Sequence, residues 1–223
     1  MIHKISYLSL TVVVLLNLIA AARPEVKVTI ENNTGSAATG SFQFRNIPSP
    51  ARDDAASRAK LTLVVGAKDS NGAELRALTD GLLPNSEDDP RANFFFRAGS
   101  DGGRFSLDLG RTIEISQVNT YSWHHSTRGS QVYNLYASDG TGPGFNAEPD
   151  NKTDPAACGW KLVASVDTRP AQGVGGGQYG VSLSGSDGLL GRYRYLLFDT
   201  VPTEYEDPFG NTFFSEVDVV ERK

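Results

Sequence analysis

The sequence predicts an all-β protein, a two-sheet jelly-roll sandwich of about eight strands with a short N-terminal hairpin extension. Three observations predict it. Short runs of β-branched, aromatic and aliphatic residues recur along the chain, separated by Gly, Pro, Asn and Asp. Phe105, Leu107 and Leu109 alternate with Ser106 and Asp108, the period-2 pattern of a strand with one apolar face. A long amphipathic helical pattern is missing, and a series of short strands joined by turns reads as a sandwich or jelly roll.

Taken in order, the first residues read as an export signal. Lys4 precedes an almost wholly apolar run from Leu8 to Ala20, and Ala20–Ala22 supplies small residues for cleavage before Arg23. The run is shorter than the ~20 residues a spanning helix needs, so no membrane span is expected after cleavage. Residues 1–22 are assigned to the signal, 23–57 to N-terminal strands and a linker, and 58–223 to the sandwich. Val26 to Glu31 and Ser41 to Asn46 form the candidate hairpin, joined through an Asn-Asn-Thr-Gly-Ser turn. Pro48-Ser49-Pro50 ends it, and residues 53–60 are rich enough in Ala and charge for a helical turn or two.

The main strands are then Leu61 to Gly66, Asn93 to Arg97 with its three Phe, and Phe105 to Leu109. Gly110 makes a corner into a strand from Ile113 to Trp123. Val132 to Ala137 is apolar or aromatic on both faces, as a strand inside a sandwich should be. Residues 140–159, dense in Gly, Pro, Asp and Asn, read as a long exposed loop. Strands resume at Trp160 to Val166, Val181 to Ser184, Tyr193 to Phe198 and Phe213 to Val220.

At 223 residues the chain has room for one well-buried core with extensions. Its net charge of −5, which becomes −6 on loss of Lys4, argues against nucleic acid and acidic membrane surfaces as partners. Cys158 is the only cysteine, so no intrachain disulfide can form and stability must come from packing or a bound ion. With no charged partner beside it in sequence, Cys158 reads as a passive thiol.

Several segments in fixed order carry a family resemblance: Leu78-Thr79-Asp80-Gly81, the strand Phe105 to Gly110, Tyr121-Ser122-Trp123, the Tyr133 to Gly140 strand ending Ala-Ser-Asp-Gly, Trp160, and Phe214-Ser215-Glu216-Val217-Asp218-Val219. Together they resemble the discoidin, or coagulation-factor type C, domains of the galactose-binding-like superfamily, over about Leu61 to Glu221. The fuller strings, YSWH, QVYNLYASDG and DPFGNTFFSEVDVVE among them, are similar to a secreted bacterial subgroup. The single cysteine departs from the animal domains, whose ends are joined by a disulfide, and brings the resemblance closer to bacterial carbohydrate-binding modules.

The resemblance implies a structural Ca2+ held by Asp80 and Glu216, with main-chain carbonyls around Ala77, Leu83 and Ser215. Calcium takes six to eight hard oxygens, and a tight loop can aim carbonyls inward to supply them. It also implies a ligand site in loops at one end of the sandwich. There Trp123, His124, His125 and Arg128 combine an aromatic face with hydrogen-bonding groups suited to a sugar. Zinc at the two histidines is not expected, since neighbours on a strand point to opposite sides.

Other motifs carry less. The acidic stretches Asn85–Asp89 and Glu204–Asp207 read as solvated loops, although either could bind calcium. Gly173–Gly177 lacks the Lys-Ser or Lys-Thr helix start of a phosphate loop. Asn32 and Asn151 fit the N-glycosylation acceptor pattern. Gly185-Ser186-Asp187-Gly188 does not have the spacing of a nucleophile elbow, and no other catalytic motif is present. The expectation is a secreted or cell-envelope, non-catalytic module that binds an extracellular glycan. The alternative is an adhesion or scaffolding module that recognises a protein partner on the cell surface.

Overall fold

The structure, a computed structural model, describes residues 25–34, 37–206 and 208–223. The signal segment therefore lies outside the described residues, as do Gly35 and Ser36 of the first turn and Asp207 of the second acidic stretch. No helix among the described residues is long and apolar enough to cross a membrane.

Eight strands form the domain: β1 (Val26–Asn33), β2 (Lys60–Val65), β3 (Gly103–His124), β4 (Val132–Ser138), β5 (Lys161–Asp167), β6 (Gly177–Gly185), β7 (Gly191–Thr200) and β8 (Phe214–Glu221). The only helices among the described residues are short 3₁₀ turns. The strands make a two-sheet jelly-roll sandwich, and β3 belongs to both layers. Its first half pairs with β2 and β7, and its second half with β6 and β8. One layer thus runs β1-β6-β3-β8 and the other β2-β3-β7-β4-β5, every pair antiparallel.

The core follows from strand parity. Phe105 and Leu107 of β3, Tyr133 and Leu135 of β4, and Leu196 and Phe198 of β7 meet Val118 of β3, Val181 and Leu183 of β6, and Val217 and Val219 of β8. Phe105 stacks on Phe198 at 4.7 Å between centroids and meets Phe94 and Phe214 edge-on.

Three expectations change. The corner at Gly110 is instead a shift of register within one continuous strand, between Asp108 and Ile113 on β3 as it pairs with β7. The N-terminal hairpin does not form: β1 pairs with β6 as an edge strand, and residues 41–46 are not a strand. Glu31 instead accepts backbone N–H bonds from Arg45 and Asn46, drawing that segment across the sheet. The N-terminal residues are thus part of the sandwich. The strand at Asn93–Arg97 is reduced to two isolated bridges, Lys68 with Phe96 and Phe94 with Phe214.

The 140–159 segment is more than a loose loop. It leaves β4 and packs onto the outside of the second sheet. There the Arg104 guanidinium donates to the carbonyls of Asp150 (2.6 Å) and Thr153 (2.8 Å) while pairing with Asp199. Trp160 donates its indole N–H to the Asn146 carbonyl and contacts Phe145. Truncating the ring that joins both layers should be costly: Phe105→Ala is expected to lower unfolding stability by about 3–5 kcal/mol in urea titrations, with a cost under 1 kcal/mol contradicting this packing.

Candidate functional site

Two places in the fold gather chemistry, one beneath the outer face of the first sheet and one at its loop end.

On β8, Val217 and Val219 point into the core, so Glu216 and Asp218 must point the other way. That outer face is not open to water. Residues 42–54 and the turn after Thr79 lie over it, leaving Glu216 0% and Asp218 2% exposed. Ala51 donates its N–H to Asp218, and Asp54 accepts the Val219 N–H at 2.9 Å. Gly81, at φ +73°, donates its N–H to Glu216 Oε2 at 3.2 Å. A Cβ at Gly81 would lie 2.9 Å from the Arg52 backbone, so only glycine lets the two segments close over the acid.

Glu216 Oε1 is buried with no hydrogen-bond partner. Burial, reinforced by Asp218 and then by Asp80 and Asp54, pushes the Glu216 carboxyl up to about 9. Burial and the neighbouring Asp54 push Asp218 up to about 7, and burial raises Asp54 as well.

Asp80 ends the 3₁₀ turn Leu75–Thr79 and lies close enough to Glu216 to raise its pKa, while its side chain accepts the Leu82 N–H. Ser215 is the extra residue of a bulge, where Tyr121 pairs with Glu216 but Ser122 pairs with Phe214. Its hydroxyl donates to Asn93, leaving only its carbonyl as a candidate ligand. Ala77 lies in the same 3₁₀ turn and Leu83 just beyond it, at positions where only carbonyls could contribute. These groups offer only oxygen donors, the kind a hard cation such as Ca2+ takes, and Glu216 Oε1 among them is orphaned, although among the described residues no three of these carboxyls bring donor atoms within 4.8 Å of one another. Asp218 and Asp54, which the sequence reading did not single out, belong to the same acidic group.

The second place is set by strand direction. The ends of β3, β5 and β7 and the starts of β4, β6 and β8 lie together, as the pairings His124 with Gly177, Val132 with Asp167, Tyr133 with Thr200 and Ser122 with Phe214 require. The loops 125–131, 168–176 and 201–213 therefore share one end of the sandwich.

Of the four residues expected to hold a ligand there, Trp123 is only 4% exposed. Its parity puts it on the covered outer face, against Phe42, Phe44, Leu83 and Pro84, so it cannot offer an open platform. His124 is 0% exposed: Ser126 donates its backbone N–H to Nδ1, and the ring packs edge-on against Phe213. Burial, with Arg128 and His125 nearby, pulls His124 down to about 4. His125 and Arg128 do reach the surface region, on opposite sides of the 125–131 loop. The Arg128 guanidinium lies 4.9 Å from the Phe213 ring centroid and 5.8 Å from that of Phe209.

The open aromatic surface comes instead from the 201–213 loop. Tyr205 is 74% and Phe209 50% exposed. Tyr205 borders a cleft of about 220 Å³ that is also lined by Asp101, Glu204, Glu206 and Asn211. Glu204 is anchored by a 2.5 Å bond from the Thr127 hydroxyl, which ties this loop to the 125–131 loop. The sequence signal was available: an aromatic among polar residues in a segment bounded by Pro202 and Gly210, with no apolar partner at strand spacing.

No family model matches the chain, and no curated protein matches it. Solved structures do. The lectin domain of lectinolysin complexed with Lewis B antigen is 14% identical with a TM-score of 0.48, over 77% of this chain and 98% of that one. A Streptococcus pneumoniae fucose-binding module is 14% identical at TM-score 0.48, over 81% and 100%. The family 32 carbohydrate-binding module of C. perfringens NanJ in complex with galactose is 13% identical at TM-score 0.44, over 71% and 92%. At these identities the likeness is one of backbone architecture.

The raised carboxyls fix a pH dependence. Glu216 and Asp218 hold protons in the folded chain that they lose in the unfolded one above ordinary carboxyl pKa values. Metal-free stability is therefore greatest below about pH 4 as far as these groups are concerned, and falls as pH rises toward 7 and then 9. In chelator, Glu216→Gln should flatten the fall in melting temperature between pH 6 and 9; an unchanged slope would contradict the assignment.

Proposed function

We propose that the protein is a secreted, non-catalytic carbohydrate-binding module, stiffened by one structural Ca2+ at the Glu216 group. The observation that carries the glycan reading is the exposed Tyr205 ring set beside Asp101, Glu204, Glu206 and Asn211 in an open cleft. A sugar ring offers an apolar C–H face and a rim of hydroxyls. An exposed aromatic takes the face, and carboxylates and amides take the hydroxyls. Arg128, over the half-exposed Phe209, adds donors on the same end of the sandwich.

At about 220 Å³ the cleft is smaller than the pockets that enclose drug-sized ligands, and it suits one terminal sugar. The lectin and carbohydrate-binding modules named above are described with Lewis B antigen and galactose, and ligands of that class are the first to try. The non-catalytic reading is supported by the sequence, which holds no nucleophile elbow or other catalytic motif. Secretion is supported by the export signal read from residues 1–22.

The calcium proposal draws on the orphaned Glu216 oxygen and on Asp218, Asp80 and Asp54, whose charges all act on it. A cation there would neutralise the group and tie the Asp80 turn to β8.

On a glycan array the protein is expected to bind a defined set of fucose- or galactose-terminated glycans. Tyr205→Ala should weaken binding at least ~10-fold, about 1.4 kcal/mol. Because Tyr205 is a surface side chain, the same change should alter stability by no more than about 0.5 kcal/mol. A blank array, with specific capture of a cell-surface protein instead, would replace this reading with the adhesion alternative.

A further inference from the structure

The end of β3 brings together three metal-binding side chains that the glycan reading does not use. Alternation governs residues within a strand, but β3 ends at His124, and His125 is already in the loop that follows. The chain folds the two imidazoles onto one another, with centroids 4.3 Å apart and ring planes at 28°. The glycine-rich loop holds that bend in place: a Cβ at Gly176 would sit 2.0 Å from the His125 carbonyl oxygen. Asp88, from the segment that precedes the 3₁₀ turn Pro90–Ala92, lies with its Oδ1 3.4 Å from His124 Nε2, and its backbone takes the left-handed region at φ 52°. One donor atom from each of Asp88, His124 and His125 lies within 4.8 Å of the other two.

Within this cluster His124 Nε2 is buried and lacks a hydrogen-bond partner. A buried nitrogen left unpaired is costly, and this one faces a carboxylate and a second imidazole. We propose that Asp88, His124 and His125 bind a divalent transition-metal ion of the kind held by imidazole and carboxylate, zinc or nickel. Ligands about 2.0–2.2 Å from zinc sit about 3.3 Å from one another in a tetrahedron. Asp88 and His125 are both exposed and free to close that distance, while His124 is fixed.

Coordination through Nε2 places the ring proton on Nδ1. The Ser126 hydroxyl, 2.9 Å away, turns to accept it, and the bond from the Ser126 amide to Nδ1 is given up. The Ser126 N–H is then left without that acceptor, at a cost of about 1–3 kcal/mol that the metal–nitrogen bond must exceed. The fourth position opens toward a cleft of about 430 Å³ lined by His125, Glu87, Asn32 and Gln172, which gives the ion its route in. With two nitrogen ligands this site differs in kind from the all-oxygen Glu216 group, and the two are separable by the choice of metal.

The test is calorimetric titration of ZnCl2 into untagged protein that has been stripped with chelator and returned to excess calcium. The expected result is one zinc per chain, with His125→Ala and Asp88→Gly each weakening binding at least tenfold. Both variants alter exposed side chains, and glycine keeps the left-handed backbone at position 88, so unchanged melting curves would show that the fold is intact. Loading with Co2+ should give the visible spectrum of nitrogen and oxygen ligation. The proposal is overturned by the absence of saturable zinc binding, by binding that survives both substitutions, or by a thiolate-to-cobalt band that places the ion at Cys158. None of these results bears on glycan binding at Tyr205, so the two readings stand or fall separately.

Discussion

The arrangement depends on two carboxyl groups enclosed along β8. Val217 and Val219 fill the core from one face of the strand, while Glu216 and Asp218 occupy the other, and both faces are covered. An unpaired buried carboxylate is among the costliest groups a fold can hold, so these acids must be protonated or must meet a cation. What covers them is recruited from distant sequence. Asp54 and Ala51 come from the N-terminal segment and Gly81 from the turn after Thr79, while Tyr121 of β3 donates its hydroxyl toward Asp218. The same carboxyls whose burial costs stability are therefore the fixed points to which three separate segments are tied. A cation would turn that electrostatic cost into a clamp.

The acidic group is joined to the loop end through β8. β8 begins at Phe214, directly after the loop that carries Tyr205 and Phe209. Phe213 stacks on Phe95 at 3.9 Å, lies beneath the Arg128 guanidinium, and donates its N–H to the Arg128 carbonyl. The Thr127–Glu204 bond then joins the 125–131 and 201–213 loops. An exposed aromatic presented by a loop fastened in this way loses little conformational freedom on binding, and rigid presentation improves affinity without further contacts.

Much of the sandwich was legible because strand parity is a local property. Phe105-Leu107, Val132–Ala137, Tyr193–Phe198 and Phe214–Val220 all carry their apolar pattern in plain sequence. The nearness of Asp80 to Glu216 was legible only through the family resemblance; Asp218 sat inside the Phe214–Val219 string without being read as a site residue, and Asp54 has no motif around it. Trp123 was misjudged for a specific reason. Parity places it on the outer face, and nothing near it in sequence shows that Phe42, Phe44 and Pro84 will cover that face. The stacking of the two histidine rings was not legible, because strand alternation stops one residue before His125, at the end of β3. Tyr205 was passed over because the acidic residues around it suggested an ordinary solvated loop. In each case the missing information was the partner brought in from another part of the chain.

The most direct test is thermal unfolding of the protein at pH 8 with calcium and after chelation, beside the double variant Asp80→Ala and Glu216→Ala. Calcium at a hundred times its dissociation constant adds about 2.7 kcal/mol, which for a chain of this size is a rise of about 5 °C or more. The account predicts that rise in the native protein and none in the double variant. A melting temperature indifferent to both calcium and chelator would contradict it, and would leave the enclosed carboxylates balanced by protons alone.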